Sequence, residues 1–214
     1  DVIGSPLTTQ GFRFDGSRVY HADTVADSPT RGHIDYSDNF GINWQSLDDN
    51  TFHSYNWTFT IAPNALVFVG TGGSIQKSYD NGQHYVSGGR INTYGNEVHN
   101  AFTWSQNANA LVKYMSINKN GKIDVSSDGL VWTYCTQLTD PSNSRYCNGL
   151  LHVNGKWYAC NRKLTSVYLY VSENGTNWDT KISDGFDWNG GHYELALAYG
   201  SNLMMLIAKS YRVI

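Results

Sequence analysis

The stretch VSENGTNW, residues 171–178, is the key to the fold of this 214-residue chain, because the chain contains four versions of it. A β-branched residue leads into Ser172, and Asn174 and Gly175 follow before Trp178. Asn-Gly between strand-like flanks predicts a hairpin turn, since the turn needs positive φ and glycine supplies it without steric cost. The related stretches are YSDNFGINW at 36–44, KSYDNGQHY at 77–85 and DVSSDGLVW at 124–132.

The four stretches share one spacing. Each has a Ser, an Asp or Asn two residues later, a Gly, and an aromatic residue three positions after that Gly. The aromatic residues follow one another at intervals of 41, 47 and 46 positions, as Trp44, Tyr85, Trp132 and Trp178. A period in the forties is typical of repeated supersecondary units, and the all-β candidate with that period is the β-propeller blade.

The sequence between these turns predicts two further strands in every unit. Residues 150–153 and 156–160 are apolar runs on either side of Asn154-Gly155. The same pattern pairs residues 12–14 with 18–22, 58–62 with 65–70, 101–106 with 110–115, and 194–199 with 202–208. Each unit therefore reads as four antiparallel strands, A to D, with the Ser-containing turn between C and D.

We therefore predict an all-β chain that forms a five-bladed β-propeller of four-stranded antiparallel blades. The blades cover residues 9–48, 49–91, 92–138, 139–182, and 183–214 together with 1–8. The fifth blade has strands A and B and the start of C at 211–214. The N-terminal stretch 2–8 is expected to complete it as strand D, which would hide the sheet edges. The alternative is a fragment of a longer propeller.

The pattern Ser-x-Asp-x-Gly-x-x-Trp resembles the Asp-box, or BNR repeat, of sialidase-type β-propellers, which also occurs in other glycosidases, lectins and phage tail adhesins. The version at 78–85 matches it best, although its final aromatic residue is Tyr85. The versions at 126–132 and 172–178 lack the residue before Gly, and the first version has Asn39 in place of Asp. In the resembling family these boxes lie opposite the ligand site, which implies that they are structural here.

The composition favours a neutral polar ligand. Charged residues make up 15% of the chain, against about 25% in an average protein, and the net charge is -3. No basic stripe suggests nucleic acid as a partner, and no apolar run approaches the about 18 residues of a membrane span. The sequence begins DVIGSPLTTQ, without Met or a signal-peptide pattern, which indicates a processed chain or an excised domain.

Binding residues are expected in the loops that join strand D to the next strand A, because long irregular loops on a rigid scaffold carry binding. These loops are predicted at 47–56, 87–100, 136–148 and 183–193. The predicted ligand-binding set is Tyr55, Asn56, Arg90, His99, Asn100, Arg145, Asn148, Trp188, His192 and Tyr193.

Asn56, Asn100 and Asn148 recur just before strand A and would offer amide groups to sugar hydroxyls, with Trp188 or Tyr55 as a stacking platform. The alternative is that these Asn residues cap loops by hydrogen bonding to the backbone.

The predicted function is non-enzymatic carbohydrate recognition, as an adhesin or a phage receptor-binding domain outside the cell or on the virion surface. The predicted partner is a glycan or cell-surface polysaccharide. No nucleic acid, membrane insertion, cofactor, metal or catalytic residue is predicted. An oligomeric parent protein would be compatible with the sequence. One alternative is a sialidase-like glycoside hydrolase, because sialidases hold a carboxylate with three arginines. Here Arg31, Arg90, Arg145, Arg162 and Arg212 fall in ligand-face segments, but sialidases have six blades. A second alternative is a structural or protein-binding propeller.

Two remaining motifs concern covalent chemistry. The three cysteines, Cys135, Cys147 and Cys160, are an odd number, which argues against a disulfide framework but leaves one Cys135–Cys147 bridge open. Asn56-Trp57-Thr58 and Asn174-Gly175-Thr176 match the N-glycosylation acceptor pattern. Since the second lies inside a predicted turn, neither is predicted to be modified.

Overall fold

The fold is made of β-strands, as seen in a computed structural model of the chain. The model describes residues 12–14, 17–24, 32–47, 58–62, 65–69, 74–80, 84–91, 99–105, 107, 109–118, 120–138, 149–163, 166–184, 192–200 and 203–211. These residues form strands β1 to β18 and contain no helix, so the all-β prediction is confirmed for them. Within them, no helix could cross a membrane. The chain divides into two compact units, residues 1–98 and 99–214.

The first unit contains two four-stranded antiparallel sheets, each with its strands in chain order. The first sheet has β1 (Phe12–Phe14), β2 (Val19–Thr24), β3 (Gly32–Ser37) and β4 (Gln45–Leu47). The second has β5 (Thr58–Ala62), β6 (Ala65–Val69), β7 (Ser74–Ser78) and β8 (Val86–Arg90). The first strands of the two sheets, β1 and β5, lie side by side.

The second unit contains two further four-stranded sheets and one two-stranded sheet. The third sheet has β9 (His99–Trp104), β10 (Tyr114–Asn118), β11 (Lys122–Ser126) and β12 (Thr133–Gln137). The fourth has β13 (Gly149–Val153), β14 (Lys156–Lys163), β15 (Ser166–Ser172) and β16 (Asp179–Asp184). The last has β17 (His192–Gly200) and β18 (Leu203–Tyr211). The first strands again neighbour one another, with β13 between β9 and β17.

A β-bulge recurs at one position of the repeat and was not predicted. In three sheets the pairing of strand C with strand D shifts by one residue at the position two before the turn serine, which is Gln76, Asp124 or Tyr170. Strand D carries the extra residue, which is Cys135 in the third sheet. Since a bulge bends and twists its strand, the three sheets share a distortion as well as a turn.

Five predicted boundaries are wrong. The second strand of the third sheet begins at Tyr114 rather than at residue 110, because the backbone of Ser105 pairs with Lys113 only after a wide turn. Arg90, His99, Asn100, His192 and Tyr193 lie in strands rather than loops, because ladder pairing extends that far. Tyr211 pairs with His192 at the end of β18 and so does not start a strand C. Residues 2–8 and 212–214 lie outside the described part of the chain.

The core of the second unit lies between the third and fourth sheets of the chain. Strand β10 is buried along its whole length, which fits an interior strand covered on both faces. Met115, Ile117 and Ile123 pack there with Trp157 and Ala159 from β14. Fully burying an aliphatic side chain of this size stabilises the folded state by roughly 1.5–3 kcal/mol. This packing holds the two sheets against each other.

Candidate functional site

The sheet topology separates two ends of every four-stranded sheet. In an antiparallel sheet with strands in chain order, the A–B and C–D turns lie at one end, and the B–C and D–A connections lie at the other. The C–D turns are the Ser-containing stretches, here called the box turns: residues 37–44, 78–85, 126–132 and 172–178. The predicted binding residues that the structure describes stand at the D–A end, opposite the box turns of their sheets.

Each box turn is closed by the same serine contact. The hydroxyl of the turn serine donates to the Asp or Asn side-chain oxygen two residues later, over 2.9, 2.8, 3.0 and 3.2 Å in chain order. The same hydroxyl oxygen accepts the backbone N–H of Gly41, Gly129 or Gly175 at 2.8 Å. These glycines have φ between +79° and +89°, which favours a residue without a Cβ.

The Asp or Asn oxygen of each box turn binds backbone N–H groups at the turn's tip. Asp128 Oδ1 accepts from Leu130 and Val131 at 2.8 and 2.9 Å. Asn39 Oδ1 accepts from the N–H of Asn43 at 2.8 Å. An amide oxygen thus occupies the same place as a carboxylate, so the turn needs an acceptor and not a charge. The polar groups of the box turns are thus used within the turns themselves.

The second box turn also holds a contact between a carboxylate and a histidine ring. Asp80 accepts from the backbone N–H of His84 at 2.9 Å, and its other oxygen lies 2.6 Å from His84 Nδ1. The backbone bond and then the ring bond lower the pKa of Asp80 from 3.8 to about 2. Both side chains face solvent, so the pair organises a turn without enclosing a cavity.

One box turn reaches beyond its own sheet. A Cβ on Gly175 would lie 3.1 Å from Met115 Cε, 3.1 Å from Trp157 Nε1 and 3.3 Å from Val112 Cβ. Met115 and Val112 belong to the neighbouring sheet's segment of the chain, and Cys135 Sγ also approaches Gly175 O at 3.7 Å. The box turn at 172–178 therefore packs the fourth sheet onto the third, beyond the local role expected from sequence.

The structure describes the backbone of half of the predicted binding set. Arg90 is the last residue of β8, His99 and Asn100 begin β9, and His192 and Tyr193 begin β17. The remaining predicted residues lie outside the described part of the chain: Tyr55, Asn56, Arg145, Asn148 and Trp188. The described members stand at the D–A ends of their sheets.

At the D–A end of the second unit, neighbouring strands do not begin side by side. A Cβ on Gly149, which opens β13, would lie 2.3 Å from Cys160 Sγ, 3.0 Å from Leu197 Cγ and 3.2 Å from Leu197 N. Gly149 thus lies beside the middle of β17, several residues beyond His192 and Tyr193. The start of β13 and the start of β17 therefore lie at different heights along the neighbouring strands.

A serine and a histidine meet in the second unit without any sequence signal. Ser105 Oγ lies 3.2 Å from His152 Nε2, and the ring of His152 packs edge-on against Trp157 with centroids 4.5 Å apart. Burial lowers the pKa of His152 below its usual value of 6.5. A Ser–His contact is the start of a nucleophile–base pair. Here Ser105 is only 4% exposed and His152 7%, so we interpret the pair as a contact that joins β9 to β13.

The cysteines carry no bridge in the described residues. Cys135 and Cys160 are free thiols, and Cys147, the other member of the bridge that the sequence left open, lies outside the described residues. Burial raises the pKa of Cys160 to about 12 and also raises that of Cys135. Among the described residues, no group of three His, Cys, Asp or Glu side chains could hold a metal ion.

Comparison with known proteins supports the fold. A solved structure titled "YCF48 bound to D1 peptide" matches with a TM-score of 0.61, over 95% of this chain and 62% of that chain. That neighbour is a β-propeller. The fold is of the β-propeller type. At 12% identity this likeness concerns the fold alone, and the present chain spans less than two thirds of the neighbour's length. No family model matches the chain, and no curated protein matches it.

Proposed function

We propose that the chain is a five-bladed, Asp-box β-propeller that binds carbohydrate without turnover through its D–A end. In this proposal residues 1–8 complete the fifth blade beside β17 and β18. The protein acts outside the cell or on a virion surface, as an adhesin or receptor-binding domain. The proposed binding residues are those of the predicted set.

The proposal rests on excluding the box-turn end as the binding surface. The polar groups that recur in the box turns bind one another and the local backbone. At the D–A end, the described strand ends carry Arg90, His99, Asn100, His192 and Tyr193. Aromatic rings beside amide and hydroxyl groups suit sugars, which present both apolar faces and hydroxyls. The low charge of the chain, 15% of residues, favours a neutral ligand.

The first experiment is a glycan array probed with the full chain, followed by titration of any hit. We expect binding to be weakened about 5- to 150-fold in Trp188→Ala, if the ring stacks on a sugar with the about 1–3 kcal/mol that a base gains on an aromatic side chain. The matched control is Phe40→Ala, which removes a 79% exposed aromatic ring from a box turn. Equal losses in both variants, or unchanged affinity in Trp188→Ala, would contradict the proposed surface.

A second experiment separates binding from hydrolysis. Labelled glycans that bind should be recovered intact after long incubation. Released sugar would instead support the sialidase-like glycoside hydrolase, and Arg90, Arg145 and Arg162 would be the first substitutions to examine. An array without any hit would favour a protein-binding propeller. The neighbour's title names a bound peptide, so a peptide array is the natural next measurement.

A further inference from the structure

The box turn at 172–178 differs chemically from its counterparts because Asn174 offers a nitrogen as well as an oxygen. Asn174 Oδ1 accepts from Ser172 Oγ at 3.2 Å, from Thr176 N and Oγ1 at 2.9 and 3.0 Å, and from Asn177 N at 2.9 Å. The oxygen therefore makes every contact by which Asn174 closes the turn. Within the described residues, the side-chain nitrogen Nδ2 has no hydrogen-bond partner.

The surroundings of Asn174 leave room for an attached group. Glu173, Asn174, Thr176 and Asn177 are all exposed, whereas Gly175 points into the sheet contact and is buried. Because Gly175 is the middle residue of Asn-Gly-Thr, no middle side chain competes for space at the surface. A substituent on Nδ2 would extend into solvent, while Oδ1 kept its four hydrogen bonds.

We propose that Asn174 is an acceptor site for an N-linked glycan. In the transfer, Nδ2 attacks C1 of the first sugar of a lipid-linked pyrophosphate oligosaccharide. The N–C1 bond forms, the C1–O bond to the pyrophosphate breaks, one amide proton is released and the lipid pyrophosphate leaves. The modified amide retains its carbonyl oxygen, so the finished turn has the same acceptor as before. The Thr176 hydroxyl supplies the third position of the acceptor pattern.

Only this box turn combines the required features. Asp80 and Asp128 have carboxylates in the equivalent place and cannot form the N-glycosidic bond. Asn39 has an amide, but Gly41 stands two residues later instead of Ser or Thr. The exchange of Asp for Asn thus leaves the turn's hydrogen bonds intact and adds a modifiable nitrogen.

The test is production of the full chain with a secretion signal in a eukaryotic host, followed by peptide mass spectrometry. We expect the peptide that contains Asn174 to carry a glycan mass that is removed by peptide N-glycosidase. Digestion in ¹⁸O-water labels the aspartate left by the enzyme and distinguishes it from earlier deamidation of Asn-Gly, and a parallel incubation without the enzyme measures deamidation during the digestion. Asn174→Asp and Thr176→Ala should abolish the modification, whereas Thr176→Ser and Asn56→Gln should retain it at Asn174.

Asn174→Asp also serves as the folding control, because Asp128 fills the same place in the third sheet. Its thermal midpoint should stay near that of the unmodified wild type. An Asn174 peptide found wholly unmodified, in secreted or in lumenal wild-type protein, overturns the proposal. The result is independent of glycan binding at the D–A end, since the array is probed with unmodified protein and reports on different residues.

Discussion

Two glycines in the fourth sheet allow the contact between sheets to be measured. Gly155 lies in the β13–β14 turn with φ +76°, and Gly175 lies in the box turn with φ +80°. Alanine at either position carries the strain of a left-handed backbone, which costs about 1–2 kcal/mol. The two sites differ in their surroundings, because a Cβ on Gly155 meets nothing within 4 Å.

The expected cost of Gly175→Ala is larger by the energy of overpacking. Its Cβ would approach Trp157 Nε1 at 3.1 Å and Val112 Cβ at 3.3 Å, and neither atom is the free end of a flexible chain. Met115 Cε, also at 3.1 Å, can move more easily. Inserting one methyl group into a packed site costs typically about 1–3 kcal/mol. Gly155→Ala should therefore lose about 1–2 kcal/mol and Gly175→Ala about 2–5 kcal/mol.

The assay is equilibrium unfolding in urea. The free energies of unfolding are compared for variants whose m-values, the slopes of free energy against urea concentration, are equal. Because both variants carry the same backbone strain, the difference between them reports the packing around Gly175, which joins Trp157 of its own sheet to Met115 and Val112 of the neighbouring one. Equal losses would refute the idea that this turn packs the fourth sheet onto the third. A Gly155→Ala loss above that of Gly175→Ala would refute it as well.

Three further predictions concern other contacts. The lowered pKa of Asp80, about 2, contributes stability that is present above pH 3.8 and lost as the pH falls towards 2. The urea midpoint of Asp80→Asn should lack that decline. Identical pH profiles of the midpoints of wild type and variant would contradict the prediction. Burial lowers the pKa of His152, so the stability of the fold should be full above pH 6.5 and decrease below it. Between pH 8 and pH 5, the urea midpoint of His152→Gln should decrease less than that of the wild type. In Gly149→Ala, the new Cβ would lie 2.3 Å from Cys160 Sγ, which should lower the free energy of unfolding by about 3 kcal/mol. Adding Cys160→Ala should restore at least about 1 kcal/mol of that stability. Strictly additive losses in the double variant would show that the two sites do not interact.

The sequence by itself determined the local elements. The Ser-x-Asp/Asn spacing and its glycine predicted four turns whose hydrogen bonds lie within eight residues, and the structure contains all four. Strand pairs around short turns were also predicted, such as β13 with β14 around Asn154-Gly155. Such features are readable because a short stretch supplies both donors and acceptors, along with the backbone freedom that the turn needs.

Tertiary structure decided what depends on residues far apart in the chain. The bulge beside Cys135, the late start of β10 and the extension of strands through Arg90 and His192 follow from ladder pairing rather than from local preference. Ser105 meets His152 across 47 positions, and Gly175 packs on Met115 only because the third and fourth sheets stack. Such contacts leave no periodic trace in the sequence, since close packing between sheets is set by their shared geometry and not by the residues of either sheet alone.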